Sequence, residues 1–392
     1  METSDKFHHA LKRLKEYCEL EDFKGYDPYD GLNSTLFQSL KPISNNRIAR
    51  LIWIQAFKRS PFNLRKITGV KKEYNAKALG LFLSGYCNLY KTAPSQEYLD
   101  KISFLSAKIL QLQNKDFSGA CWGYNFDWQA RAFFQPKNTP TVVASTFIAS
   151  ALLDAYEITK DDLYLQTARS TCDFILNDLN KTYDDKGNFA FSYSPLDKSV
   201  VFNASLLGSR ILSRVYSFTN EKALIDGASK SVAFCCNHQN EDGTWGYGTY
   251  DFHQWIDNFH TGYNLECIAD YSKHSGDESF QKNITKGLKY YLTNFFTAEG
   301  IPKYYNTSVY PIDIHAPAQL VITLTKLGKF KDDKDLIDRV LNWTIDNMQS
   351  KEGYFYYQIN KYFSSTISYM RWAQAWMFYA LSSYILYNKS NE

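Results

Sequence analysis

The chain reads as an all-α protein, a six-hairpin (α/α)6 toroid, and three observations predict it. Six segments, beginning near Asn75, Thr139, Val200, Asp257, Asp313 and Tyr369, are apolar almost all round, and their starts recur every 56 to 64 residues, the length of one helical hairpin. A helix without a polar face must be covered on every side, whereas the stretches between these six, such as 97–113, alternate apolar and polar positions at helical spacing. Each intervening stretch closes on a Gly followed by aromatics: Gly119, Gly187, Gly243, Gly300 and Gly353, at intervals of 68, 56, 57 and 53 residues. The pattern predicts an inner ring of covered helices, an outer ring of half-exposed ones, and short β-hairpin-like aromatic loops leading back to the inner ring.

Taken in order, METSDKFHHALKRLKEYCEL is a charged amphipathic helix without the apolar core of a signal peptide, and no later run reaches the length of a membrane span, so a cytoplasmic protein is expected. His8 and His9 fall on its solvent face and receive no role. Outer helices are expected near 97–113, 160–180, 221–238, 276–297 and 333–349, with the sixth drawn from the N-terminal region at 46–58, residues 1–60 closing the ring. No Pro/Gly/Ser-rich linker interrupts residues 1–392, which predicts one toroidal domain. Charge is nearly balanced, 44 basic against 41 acidic residues, and points to neither nucleic acid nor an anionic membrane as partner. Seven cysteines, an odd number without export signal, read as free thiols. The aromatic share of 17%, with 30 Tyr, 27 Phe and 8 Trp, suits stacking on ligands with an apolar face and a polar edge, sugars among them.

In such a ring the loops entering the inner helices converge on one mouth of a central cavity, and residues there are the candidates for chemistry. HQWIDNFHTGYNLE places Asp257, Asn258 and His260 at the fourth inner helix, with Trp255 just ahead. An Asp or Asn there also serves as helix N-cap, which accounts for one of them but not for His260. SVYPIDIHAPAQL brings Tyr310, Asp313 and His315 to the fifth, Pro317 fixing the helix start. YMRWAQAWM brings Arg371, Trp372 and Gln374 to the sixth, with Arg371 able to neutralise Asp313 or Asp257. Trp122, Tyr124, Trp245, Trp255 and Trp372 are the candidate stacking walls. The first three inner-helix starts carry mostly small and apolar residues, which locates the site on the C-terminal half of the ring.

These three clusters, with GYDPYDGLNS at 25–34, resemble the α/α toroid proteins encoded in bacterial capsule and exopolysaccharide biosynthesis clusters, over nearly the whole chain. That resemblance implies polysaccharide biosynthesis or modification and contact with other enzymes of such a pathway. Some relatives carry the label delta-aminolevulinic acid dehydratase, which the helical pattern contradicts, since that enzyme resembles a β/α barrel. QNEDGTW, 239–245, matches the Q-x-x-D-G-x-W pattern of triterpene cyclases, where it clamps helices together, and a clamp is its reading here too. Cys235, Cys236 and His238 with Cys121 resemble the zinc ligands of lanthionine cyclases, but adjacent helical cysteines point about 100° apart, so no metal or other cofactor is assigned.

The residues suit proton abstraction beside a carboxylate. His260, His315 and Tyr310 would move protons, Arg371 and Asn258 would neutralise the anion, and Asp257 and Asp313 would orient the histidines. The set resembles the Asn, His, Tyr and Arg groups of toroidal polysaccharide lyases and the His pairs of sugar epimerases, which implies a lyase or epimerase acting on a uronate-type sugar in an oligo- or polysaccharide. Two alternatives stand. One is a glycoside hydrolase using Asp257 and Asp313, since helices packed roughly 8–10 Å apart allow the inverting geometry. The other is a non-catalytic glycan-binding subunit of a polysaccharide assembly complex.

Overall fold

The computed structural model describes residues 3–130 and 134–389. Three helices come first: α1 (Thr3–Leu20), α2 (Thr35–Ser39) and α3 (Arg47–Arg59). Paired helices follow: α4 (Ala76–Thr92) with α5 (Gln96–Gln111), α6 (Val142–Thr159) with α7 (Asp162–Asp173), α8 (Phe202–Thr219) with α9 (Lys222–Asn237), α10 (Asn258–Ser275) with α11 (Gln281–Asn294), and α12 (His315–Lys326) with α13 (Lys334–Met348). The last inner helix is a π-helical turn, Met370–Gln374, running into α14 (Ala375–Lys389). From α4 on, each even-numbered helix packs on the next and α14 returns to α4, so the inner helices form a closed ring, the (α/α)6 toroid.

Local chemistry sets the helix ends. Asn75, Thr141 and Asp257 each accept a backbone N–H from the first turn of α4, α6 and α10, contacts worth about 1 kcal/mol apiece. Lys160, Asn220 and Gly276 end α6, α8 and α10 in the left-handed conformation. Among the described residues α6 alone has the length and hydropathy of a membrane span, contrary to the expectation that none would, and most of it is buried within the ring.

Four of the five repeated glycines are explained by close approach; the fifth, Gly187, has open space around it and supplies a φ of +78° in its turn. A Cβ on Gly119, after α5, would lie 1.8 Å from the Ser170 carbonyl oxygen on α7; one on Gly243, after α9, would lie 2.6 Å from that of Lys286 on α11. Gly353, after α13, meets Arg13 of α1 in the same way at 2.4 Å. The QNEDGTW segment is indeed a clamp. Gln239 Nε2 donates to the carbonyls of Gly243 (2.9 Å) and of Asn283 on α11 (3.0 Å), and Trp245 Nε1 to that of Cys235 (2.9 Å). Gln349 repeats it, donating to the carbonyls of Gly353 and of Ala10 on α1, both at 2.9 Å.

These contacts make α1, which packs on α13 and α14, the sixth outer helix. The expectation that 46–58 would fill that place is corrected. Residues 47–59 form α3, which packs on the 3-10 turn Asp30–Asn33 and on strand β1 (Trp128–Gln129), and turns Leu51, Gln55 and Lys58 towards the central cavity. Both segments carry amphipathic patterning, and periodicity alone does not say which neighbour covers the apolar stripe.

Three small antiparallel sheets decorate the loops: β1 with β2 (Phe134–Gln135), β3 (Lys181–Tyr183) with β4 (Phe189–Phe191), and β5 (Ile312–Asp313) with β6 (Gln358–Ile359) and β7 (Ser364–Ser365). Deeper in the ring, Arg210 of α8 meets Glu266 (3.2 Å) and Asp270 (2.8 Å) of α10, while Arg214 meets Asp154 and Glu157 of α6. The polar interior is thus cross-linked by charge rather than filled by hydrocarbon alone.

Candidate active site

A cavity of about 590 Å³ opens where the six inner helices begin. Lys77, Val143, Asn203, His260, His315 and Arg371, each from the first turn of a different inner helix, line it, so six positive helix ends converge there. Tyr and Trp side chains of the entering loops form its walls, and α3 lies across one side. Among the described lining residues are four Lys and Arg side chains, Lys58, Arg59, Lys77 and Arg371, and no Asp or Glu.

His260 is the most exposed of the ring-borne groups, its side chain 22% accessible. Its Nδ1 lies 2.7 Å from Asp257 Oδ2. A carboxylate only accepts, so this contact fixes the proton on Nδ1 and leaves Nε2 as the basic nitrogen. Asp257 also caps α10 through the His260 backbone N–H (2.9 Å) and takes the Trp255 indole N–H (3.1 Å). Trp255 stacks on Tyr247 at 4.6 Å, and the Tyr247 ring lies 4.7 Å from that of His260. One carboxylate therefore sets a helix end, an imidazole and an aromatic wall.

His315 sits deeper and is held differently. Its Nε2 is 2.8 Å from the Tyr263 hydroxyl, its ring stacks on Phe259 at 4.5 Å, and Nδ1 is buried without a partner. Burial, with Lys77, His260 and Arg371 nearby, pushes its pKa well below the ordinary imidazole value, so it is neutral. Tyr263 also lines the cavity, and burial pushes its phenol well above its usual value, which keeps it a proton donor. Phe259 lies between the two imidazoles, 4.4 Å from His260 and 4.5 Å from His315.

Arg371, on the π-turn that opens the sixth inner helix, pairs with Asp27 through two contacts of 2.6 and 2.8 Å. Neither Asp257 nor Asp313, the partners expected from sequence, is involved. The guanidinium also lies 4.9 Å from the Tyr124 ring. Asp27 belongs to GYDPYDGLNS, whose Asp30 binds the buried Arg65 (2.6 Å). That segment therefore carries the counter-charge to Arg371 at the site and, beside it, one to a buried arginine outside the cavity lining.

Several expectations are corrected. Asp313 is fully buried and does not line the cavity; it accepts the His315 backbone N–H (3.0 Å), the Trp372 indole N–H (2.9 Å) and Gln358 (3.0 Å), its partner in the β5–β6 register. It positions the chain at His315, not the ring. Tyr310 is 44% exposed and outside the cavity. The tyrosines its loop does supply are Tyr304 and Tyr305, from the aromatic run after Gly300. Asn258 is buried behind the wall, its Oδ1 accepting from Tyr291 (3.0 Å). Gln374 pairs with the Phe355 backbone (2.8 Å to N and to O). Trp122 and Trp245 are clamps that donate to the Ile109 and Cys235 carbonyls. Each is polar or aromatic at a loop end, and composition does not distinguish a wall from its backing. Tyr124, Trp255, Trp372, His260, His315 and Arg371 do line the cavity.

Lys77, Tyr263 and Tyr247 were missed. Lys77, 3% exposed, holds Nζ 4.2 Å from the Phe147 ring and 5.3 Å from Trp376. Burial first, then Arg371, pushes its pKa well below the ordinary amine value. A lysine in the apolar run AKALGLFL was the available signal, and it places site chemistry on the first inner helix as well as the last three.

No family model matches the chain, and no curated protein matches it in sequence. Among solved structures it is similar to cellobiose 2-epimerase from Bacillus thermoamylovorans B4167 (TM-score 0.64, 12% identity, 80% of this chain and 88% of that one). It is likewise similar to an unsaturated glucuronyl hydrolase specific for heparin (TM-score 0.64, 13% identity, 99% and 98%) and to the GH76 α-mannanase BT2949 of Bacteroides thetaiotaomicron (TM-score 0.62, 11% identity, 81% and 88%). At these identities the likeness establishes the fold, the (α/α)6 toroid, and these neighbours are carbohydrate-processing enzymes.

Proposed function

We propose that the chain is a carbohydrate-active enzyme that removes and returns a proton at the carbon next to the carboxylate of a uronate-type sugar. The observation that carries this reading is His260: its Nδ1–H is held by Asp257, which leaves Nε2 as its basic nitrogen, and the residue lines a cavity that has Lys and Arg side chains and no carboxylate among its described lining residues. Arg371 and Lys77 would bind the sugar carboxylate, aided by the helix ends. An anion placed between them would also favour the charged form of Lys77, offsetting the burial that otherwise disfavours it. His260 would take the proton, and the Tyr263–His315 pair, on the other side of Phe259, would return one.

Two proton-active groups flanking one floor favour epimerisation. Elimination by the same base would make the chain a lyase. Hydrolysis by Asp257 and Asp313 is disfavoured, because both carboxylates are engaged by protein donors and neither faces the cavity. The reading places the chain in the synthesis or modification of an acidic polysaccharide, the setting that its resemblance to capsule-cluster proteins implies. The test is incubation with glucuronate- and galacturonate-containing oligosaccharides in deuterium oxide, read by NMR for deuterium beside the carboxylate and by ultraviolet absorbance for an unsaturated product. Exchange that disappears in His260→Ala supports the proposal. Exchange undiminished in His260→Ala refutes it, and binding without exchange supports a glycan-binding subunit instead.

A further inference from the structure

The near balance of charge over the whole chain conceals a strong local imbalance. Between Asp30 and Glu73 the sequence holds nine Lys or Arg and no Asp or Glu, so the rest of the chain is net acidic. The same segment exposes large aliphatic side chains that a folded protein ordinarily covers. Ile43, Ile48, Ile52 and Ile67 are 52, 67, 64 and 83% exposed, they are all of the exposed isoleucines among the described residues, and Phe62 is 75% exposed.

The segment forms one subassembly. α2 and α3 each pack on the 3-10 turn Ile43–Asn45 and on the turn Asp30–Asn33, and meet each other through the stacked rings of Phe37 and Trp53, while the Leu36 N–H and Ser34 hydroxyl bond the Thr68 carbonyl, which brings the 60–69 loop alongside α2. Helical spacing separates the roles of α3. Leu51, Gln55 and Lys58 face the cavity, Ile54 and Phe57 are buried, and Ile48 and Ile52, one turn apart, point to solvent. Exposed Lys41, Arg47, Lys66 and Lys71 accompany the outward aliphatic residues.

We propose that this subassembly is a peripheral docking surface for an anionic lipid bilayer, with the outward isoleucines and Phe62 entering the headgroup boundary and the surrounding cations meeting lipid phosphates. Charge complementarity selects the bilayer: exposed Lys41, Arg47, Lys66 and Lys71, in a segment without Asp or Glu, suit a surface of fixed negative charge, and exposed aliphatic chains gain from a hydrocarbon boundary. A nucleic-acid surface would call for stacking aromatics and polar base contacts in their place. Because α3 covers one side of the cavity, docking would bring the mouth beside the headgroups. The inference is independent of the reaction proposed above.

The test is co-sedimentation of the intact chain with phosphatidylcholine vesicles and with phosphatidylcholine–phosphatidylglycerol vesicles. Binding is expected only to the anionic vesicles and should weaken as salt is raised. Ile48→Ser/Ile52→Ser and Arg47→Glu/Lys66→Glu, neither touching the cavity lining, should each lower binding by about tenfold or more while the melting temperature and ligand binding in the cavity stay unchanged. Two results would overturn the proposal: no binding to anionic vesicles, or a wild-type dimer in sedimentation that Ile48→Ser/Ile52→Ser converts to monomer, which would assign the face to a second copy of the chain.

Discussion

Replacing Asp27 by Asn tests the electrostatic frame of the site without needing a substrate. Asp27 and Arg371 are 344 residues apart, 4% exposed each, and joined by contacts of 2.6 and 2.8 Å. Asn keeps the shape and an acceptor for the Tyr29 N–H, now 3.1 Å from Oδ1, so the substitution removes little besides the counter-charge. Breaking a buried pair from one side costs about 3–5 kcal/mol, and the lower end applies because Arg371 borders a cavity that water can enter. A chain of this length unfolds with an entropy of about 0.8 kcal/mol/K, so about 3 kcal/mol corresponds to a melting temperature lower by roughly 4 °C. Calorimetry of Asp27→Asn, Arg371→Met and the double variant is the assay. The double variant should lose less than the sum of the singles, by about 2 kcal/mol, since removing both charges leaves none stranded. A shift of under about 1 °C for Asp27→Asn, or strict additivity, would refute the reasoning.

Three further predictions follow from the same geometry. Asp257→Asn preserves an equally good N-cap for α10 and should change stability by under about 1 kcal/mol, yet lower proton exchange on substrate by about a hundredfold or more, measured by deuterium incorporation. Lys77→Met removes a buried amine and should raise the melting temperature while weakening uronate binding. The folded-state pKa of Lys77 lies below the ordinary amine value of 10.5 that the unfolded chain has, so in that window the unfolded chain holds more protons, and the wild type should gain on Lys77→Met as pH rises towards 10.5 in parallel melting curves. Burial pushes the Asp313 carboxyl up to about 6 from 3.8, so here the folded state holds the extra proton. Relative to Asp313→Asn, the wild type should therefore gain up to about 3 kcal/mol as pH falls from about 6 to 3.8 in denaturant titrations.

The sequence by itself determined the architecture. Six apolar helices at near-constant spacing and five closing glycines are local properties; they survive translation into structure because a helix covered on all sides has few places to go and because, at four of the five glycines, the next outer helix touches the loop backbone, while Gly187 supplies a positive φ in its turn. The positions of His260, His315, Arg371, Tyr124, Trp255 and Trp372 at the cavity were legible for the same reason: they stand at the start of an inner helix or in the loop before one. What only the tertiary structure decided were the relations between distant segments. The counter-charge of Arg371 comes from Asp27 rather than from a neighbouring helix, α1 rather than α3 completes the outer ring, and Asp313 faces the backbone of His315 instead of its ring. Tyr310 and Tyr263 show the same division, one exposed and one buried against an imidazole, though both are tyrosines close to an inner-helix start. Periodicity reports whether a residue is covered, a property of its own helix; what covers it, and which of its atoms face the cavity, depends on chain segments hundreds of residues away whose arrival no local pattern encodes.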